Sequence, residues 1–313
     1  MLMSANSPFI KCLFFIILLF TSSSFVFALN LTSDASQFIN RISPSEGLTQ
    51  SYVTKTVQDK EGFIWVGTQM GLNRYDGYNI KEIKGPNKVF EKEMISTLFI
   101  DEQGFLWVST AYSGLYRVNT STFVSEQFFS GKIKPDDKSY SEVSVIKQGS
   151  DNTLWIGVSN HLYLLDIATQ KLTNYFTLQT EDDIVRDIYL EDDFIYCASS
   201  DGLYKVAIKT GQPELIPHRP STVNSIDSAN TKLLISDHLL GLLVGTVDGL
   251  YSLPNPDSIV DEIGAPQLLI PNLNIWDMVW MNGYYLVATD QGLYHFNPKT
   301  LELIFVLNFS ESI

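Results

Sequence analysis

The sequence is poor in cysteine, in positive charge and in long apolar segments. Two cysteines in 313 residues exclude a disulfide-stabilised scaffold. Lys and Arg number 21 against 35 Asp and Glu, and the net charge of −14 argues against nucleic acid or an anionic membrane as a partner. Aromatic residues, by contrast, make up 12% of a chain that is 45% hydrophobic. This composition is typical of a globular protein built from β-strands, whose pleated surface aromatic side chains cover well.

Residues 1–28 have the pattern of a secretory signal peptide. Lys11 precedes an apolar run at 12–20, and Val26-Phe27-Ala28 supplies a cleavage site. The run is too short to cross a bilayer as a helix, although an uncleaved anchor is the alternative. We predict cleavage after Ala28 and a soluble periplasmic protein. Cys197 is then its one cysteine, and we expect it to be a buried small hydrophobe.

The rest of the chain repeats with a period of roughly 44 residues. A bulky residue and a later leucine stay in step through six copies of the repeat. An entry segment at 29–48, with an edge strand at Phe38–Ile42, is expected to precede the repeats. The six units are approximately 49–90, 91–138, 139–180, 181–224, 225–271 and 272–313.

Each unit predicts four short strands, here called A to D. In the first unit, a turn from Asp59 to Gly62 joins strands A and B, since Asp bonds nearby backbone and Gly accepts positive φ. The bulky residue of strand B is expected to wedge between neighbouring units. Four antiparallel strands at this period predict an all-β fold, a β-propeller of four-stranded antiparallel blades. The positions expected to build the repeat are Asp59, Gly62, Trp65, Gly71, Asp101, Gly104, Trp107, Gly114, Trp155, Gly202, Gly249 and Gly292.

Residues 59–76, with the pattern D-x-x-G-F-I-W-V-G-T-x-x-G-L-x-R-Y-D, resemble the two-component regulator propeller repeat. The resemblance covers residues 38–313 and implies the periplasmic sensory region of a hybrid histidine kinase or a diguanylate cyclase. It weakens along the chain, because Asn152 and His161 replace glycines in the third unit and the last three units lack the tryptophan. Family members continue into further blades, a membrane helix and an output domain. The resemblance therefore implies a truncated sensor that is part of a seven-bladed ring, and a closed six-bladed ring is the alternative.

Catalytic motifs are missing from the sequence. It has no nucleophile elbow, no HExxH metal motif, no cysteine pair and no phosphate-binding loop. We therefore predict a protein that is not an enzyme and that has no metal and no cofactor. The acidic runs at 181–183 and 191–193 are expected to be solvated turns.

Ligand binding is expected at the mouth of the channel, where the D–A and B–C loops of a propeller gather. Aromatic faces stack on sugar rings, and an Arg binds a carboxylate through two parallel hydrogen bonds. The candidate partners are a small molecule or an oligosaccharide, with a membrane signalling protein or a second copy of the chain as further ones. A carbohydrate-active lyase or glycosidase and a protein-interaction platform are the alternative functions. The candidate ligand-binding residues are Tyr52, Gln69, Tyr112, Asn160, Arg186, Asp201, Trp276 and Asp290.

Overall fold

Twenty-four strands lie within the residues that the computed structural model describes. The structure describes residues 42–130, 142–150, 152–179, 181–216, 230–254 and 266–307. The predicted signal peptide and the edge strand at Phe38–Ile42 lie outside these residues, apart from Ile42, which is not in a strand. Short 3-10 helices occur at Pro44–Glu46 and Pro86–Lys88.

The strands form six antiparallel sheets of four, each built from consecutive strands. Each sheet is one blade, and its strands in chain order are A, B, C and D. The bounds are as follows: blade 1, β1 Val53–Gln58, β2 Ile64–Thr68, β3 Gly71–Tyr75, β4 Ile80–Ile83; blade 2, β5 Ile95–Ile100, β6 Phe105–Thr110, β7 Gly114–Asn119, β8 Ser125–Phe129; blade 3, β9 Val143–Gln148, β10 Thr153–Val158, β11 His161–Asp166, β12 Lys171–Thr177; blade 4, β13 Val185–Leu190, β14 Phe194–Ser199, β15 Gly202–Ala207, β16 Pro213–Leu215; blade 5, β17 Thr231–Asp237, β18 Gly241–Thr246, β19 Gly249–Leu253, β20 Gln267–Pro271; blade 6, β21 Ile275–Met281, β22 Tyr284–Thr289, β23 Gly292–Asn297, β24 Glu302–Leu307.

Strand A is the innermost strand of each blade. Strand A of every blade from the first to the fifth contacts strand A of the next blade. The all-β propeller of four-stranded blades is thereby confirmed, and the A strands line its centre.

The cores lie between consecutive blades. Trp65 packs with Ile95 and Leu98 of the second blade, and Trp107 packs with Leu154 of the third. Each tryptophan projects from strand B into the following blade, as expected of the bulky repeat position. A blade alone leaves both of its faces in water, so stacking supplies most of its apolar burial.

Small residues on strand B allow this close stacking. A Cβ added to Gly67 would lie 2.8 Å from the Cγ2 atom of Ile95 at the start of the next strand A. At Gly157 it would lie 2.9 Å from the Cγ1 atom of Val185, the equivalent residue of the fourth blade. The glycine therefore accommodates the branched side chain of the following blade.

Two blade faces differ from the rest in their exposure. Val53 begins the first strand A and is 43% exposed, whereas the equivalent Ile95, Val143 and Val185 are fully buried. In the sixth blade, Val279 and Ile304 lie in one cross-strand row and are 55% and 53% exposed. The leading face of blade 1 and the trailing face of blade 6 are thus the more open faces. The seven-bladed ring stays a prediction.

Cys197 lies on strand β14 and is fully buried, as expected. Burial raises the pKa of its thiol to about 12. Within the described residues, no helix has the length and apolar character needed to span a membrane.

Candidate functional site

A β-bulge recurs at the second residue of every strand A. In each A–B pairing the register skips one residue on strand A, immediately after the first pair. Bulges re-aim side chains and are common at barrel rims and next to functional sites. The six bulged residues are Thr54, Ser96, Ser144, Arg186, Lys232 and Trp276.

The bulges lie at the end of the propeller where the D–A and B–C loops meet. Backbone N–H groups of the B–C turns donate to residues just before strand A, as from Gln69 to Tyr52 at 3.1 Å and from Asp290 to Asn274 at 3.3 Å. This end is the predicted channel mouth.

In the first three blades the bulged residue is small and hydroxylated. Thr54 donates to the carbonyl of Ile95 at 2.5 Å, and Ser144 donates to the carbonyl of Val185. Both acceptors belong to the next blade, so the bulged side chain is directed around the inner wall. The hydroxyl of Ser96 is buried and has no hydrogen-bond partner among the described residues.

In the last three blades the bulged residue is Arg186, Lys232 or Trp276. The Nζ of Lys232 donates to Oδ1 of Asn274 at 2.6 Å, again towards the next blade. Trp276 is 52% exposed, so it does not fill the interior of the wall. Three long side chains therefore replace the short hydroxyls along one half of the mouth.

Arg186 and Lys232 are close enough to influence each other electrostatically. Burial and then the positive charge of Arg186 lower the pKa of Lys232, while Asp290 acts in the opposite direction. Burial also lowers the pKa of Arg186, and its Nε is buried with no hydrogen-bond partner among the described residues.

The nearest carboxylate along the chain is already engaged. Asp187 accepts from Lys147 at 2.9 Å through Oδ1 and from the backbone N–H of Leu234 at 2.8 Å through Oδ2. Across the part of the chain that is described, no ion pair within 4.0 Å involves Arg186 or Lys232. The two cations thus face the mouth only partly neutralised.

The other predicted ligand-binding residues differ in environment. Tyr52, Gln69, Tyr112 and Asp290 are exposed. Asn160 is buried, and Asp201 accepts a hydrogen bond from Tyr204 at 3.0 Å. The roles of all eight residues stay predictions.

One residue of the acidic runs departs from the expected solvated turns. Glu181 and Asp182 are exposed as expected, whereas Asp183 is 7% exposed. Its Oδ1 accepts from Ser200 of the neighbouring B–C turn at 3.1 Å. The loop before strand A thus packs onto the B–C turn, and that contact takes the Asp183 carboxylate out of water.

Lys232 was missed as a site residue. Arg186 and Trp276 occupy equivalent positions in units four and six, and Lys232 occupies the same position in unit five. Comparing only that position across the units identifies it. The bulge that directs all three side chains leaves no clear signal in the sequence.

A second depression lies at the opposite end of the strands, between blades 5 and 6. Asp237 and Tyr285 line it, but Tyr285 donates to Asp237 at 2.8 Å and the backbone of Leu240 also donates to Asp237. The carboxylate and the phenol that line it are thus already paired. In the described residues no His, Cys, Asp and Glu side chains cluster as a metal site would require.

Part of the first blade is similar to a known repeat family. Residues 47–70 match the family model described as two component regulator propeller. The match covers strands A and B of the first blade and the residues just before them. A histidine kinase P4 of Formosa agariphila is 44% identical over 55 residues, which are 17% of this chain and 4% of that protein.

Solved structures are similar in fold to most of the chain. The extracellular domain of a hybrid two component system from B. thetaiotaomicron matches with a TM-score of 0.65 and 25% identity, over 84% of this chain and 34% of that one. A second such domain from B. thetaiotaomicron has a TM-score of 0.66 at 20% identity, covering 83% of this chain and 36% of that one. The chain thus spans about a third of the length of these structures.

Propellers of other functions share the fold. The virginiamycin B lyase of Staphylococcus aureus matches with a TM-score of 0.56 and 14% identity, over 78% of this chain and 79% of that one. At this identity the likeness concerns the fold alone. The lyase activity therefore gives no argument about the chemistry of this propeller.

Proposed function

We propose that this propeller is the ligand-sensing domain of an exported bacterial signalling receptor. The observation that carries this proposal is the match of residues 47–70 to the two component regulator propeller model, within a fold shared over 84% of the chain with the extracellular domain of a hybrid two component system. The secretory pattern of residues 1–28 adds a periplasmic location.

The channel mouth of blades 4 to 6 is the proposed sensing site. Its side chains project from adjacent strands of different blades, so one ligand touching several of them bridges the blades. Such a ligand changes signalling only if it binds one arrangement of the receptor more tightly than another. Blade-to-blade packing is the element that the ligand would bias, because the bulged residues Thr54, Ser144 and Lys232 each hydrogen-bond to the next blade.

The test is a thermal-shift screen of the exported protein against oligosaccharides, sugar acids and other small periplasmic metabolites. A ligand at 100 times its dissociation constant stabilises the native state by about 2.7 kcal/mol. We expect a saturable rise in melting temperature without conversion of the ligand. Turnover of a compound would instead identify an enzyme. A cooperative melt that no compound moves, together with capture of a defined protein partner, would favour an interaction platform.

Export is tested separately. Amino-terminal sequencing of the protein from a periplasmic fraction should begin at Leu29. Retention of the full chain in the membrane fraction would identify an uncleaved anchor instead.

A further inference from the structure

The cationic half of the mouth is unusual in a chain with a net charge of −14. Arg186 and Lys232 are the bulged residues of adjacent A strands, and the side chain of Lys232 reaches Asn274 of the next blade. Burial makes both charges more costly, and each cation repels the other. A site with two partly neutralised cations and a buried, unpartnered guanidinium Nε is arranged for an anion.

We propose that Arg186 and Lys232 together bind the carboxylate of a small monoanionic ligand at the channel mouth. The inference rests on the proposed ligand-sensing function and names the chemical class of the ligand. The planar guanidinium of Arg186 matches a carboxylate through two parallel hydrogen bonds, and Lys232 adds a point charge from the neighbouring blade.

The surroundings favour one negative charge over two. Asp290 lies close enough to act on Lys232, so part of the positive charge is already balanced. A phosphate dianion would be repelled more strongly by Asp290 and by the acidic chain as a whole. The single negative charge of a carboxylate is balanced by the positive charge that Asp290 leaves on Arg186 and Lys232.

Trp276 indicates what accompanies the carboxylate. It occupies the bulged position of the next blade, two residues after the Asn274 that accepts from Lys232. Its half-exposed ring offers a flat apolar surface at the mouth end of the neighbouring blade. Sugar rings and aromatic rings stack on such surfaces, so a cyclic acid such as a uronic acid fits the site better than acetate.

Isothermal titration of the exported protein tests the proposal. The probes are glucuronate, galacturonate, benzoate and acetate, with glucose and inorganic phosphate for comparison, all at millimolar concentration. The variants are Arg186→Gln, Lys232→Gln and Trp276→Ala. Lys209→Gln is the matched control, because Lys209 is exposed and pairs with Asp193 outside the mouth.

We expect at least one cyclic monocarboxylate to bind more tightly than glucose, phosphate and acetate. Arg186→Gln and Lys232→Gln should each weaken that binding about tenfold or more, and Lys209→Gln should leave it unchanged. Arg186→Gln should not lower the melting temperature of the free protein, because it removes a repulsion.

Two results would overturn the inference. One is that no carboxylate binds at all, or that every carboxylate that binds does so equally tightly to wild type and to Arg186→Gln. The other is a neutral ligand from the wider screen that stabilises wild type and Arg186→Gln alike. That second result would leave the receptor function standing, since sensing would then use a neutral ligand.

Discussion

Asp59 accepts the indole N–H of Trp65 at 2.8 Å, across the turn that joins strands A and B of the first blade. Its other carboxylate oxygen accepts the backbone N–H of Phe63 at 2.9 Å. Asp101 makes the same two bonds in the second blade, with Trp107 and Phe105. The Asp and the Trp of the repeat therefore act as a pair, here called the Asp–Trp unit. The carboxylate holds the buried indole ring in place and also closes the turn between strands A and B.

The Asp–Trp unit predicts the cost of removing its carboxylate. Asp59→Ala leaves a buried indole N–H and a backbone N–H without their acceptor, which should cost about 1–3 kcal/mol. Glu61→Ala is the matched control, since Glu61 lies exposed in the same turn. Urea denaturation followed by tryptophan fluorescence measures the difference. Equal midpoints for the two variants would show that the bond contributes nothing to stability.

The small residue on strand B predicts a second destabilising substitution. Gly157→Ala places a methyl group 2.7 Å from Val145 and 2.9 Å from Val185, which should cost about 1–3 kcal/mol through overpacking. Adding Val185→Ala removes the contact at 2.9 Å and leaves the one with Val145, so the double variant should lose less than the sum of the single losses. Thermal melts of the three variants measure the coupling. Strict additivity would contradict the steric account.

Two equivalent leucines should respond differently to truncation. Leu243 is 1% exposed because blade 6 covers it, and Leu243→Ala should cost about 2–5 kcal/mol. Leu286 holds the same position on the more open trailing face of blade 6 and is only partly buried. Leu286→Ala should therefore cost clearly less. An equal loss of melting temperature would show that this face is covered in solution, and sedimentation would identify a second copy as the cover.

Cys197 should be inert towards thiol reagents in the native protein. Burial raises the pKa of its thiol to about 12, so the thiolate fraction stays small as the pH rises from 7 to 9. Labelling of the native protein with a disulfide reagent should therefore stay slow over this range. In urea the thiol should react fully and faster at higher pH, as an ordinary cysteine does. Rapid stoichiometric labelling of the native protein would contradict its burial.

Much of the fold could be predicted because the residues that blade stacking requires recur at fixed positions of the repeat. Trp65, Trp107 and Trp155 recur at the same position of strand B, which faces the next blade, and all three are buried there. Gly71, Gly114, Gly202 and Gly292 begin strand C with positive φ, which side chains disfavour. These requirements act within one unit, so each copy of the sequence carries them.

The candidate site could be predicted only in part. Arg186 and Trp276 were found by assigning loops to the mouth, but Lys232 was missed, and the expectation of a solvated Asp183 was wrong. A bulge shifts the register of strand A by one residue, and the register depends on the pairing of strand A with strand B and not on the sequence of strand A alone. Whether a carboxylate is wet or buried likewise depends on a loop from elsewhere in the blade.

Periodicity alone therefore determined the blade, its order of strands and the residues that wedge between blades. Those features repeat because every blade must bury the same two faces. The bulge at Arg186, Lys232 and Trp276 and the bond from Lys232 to the next blade came from tertiary structure alone. Residues more than forty positions apart meet at the mouth because radial stacking places successive A strands side by side, and pairing with strand B fixes the bulge in each.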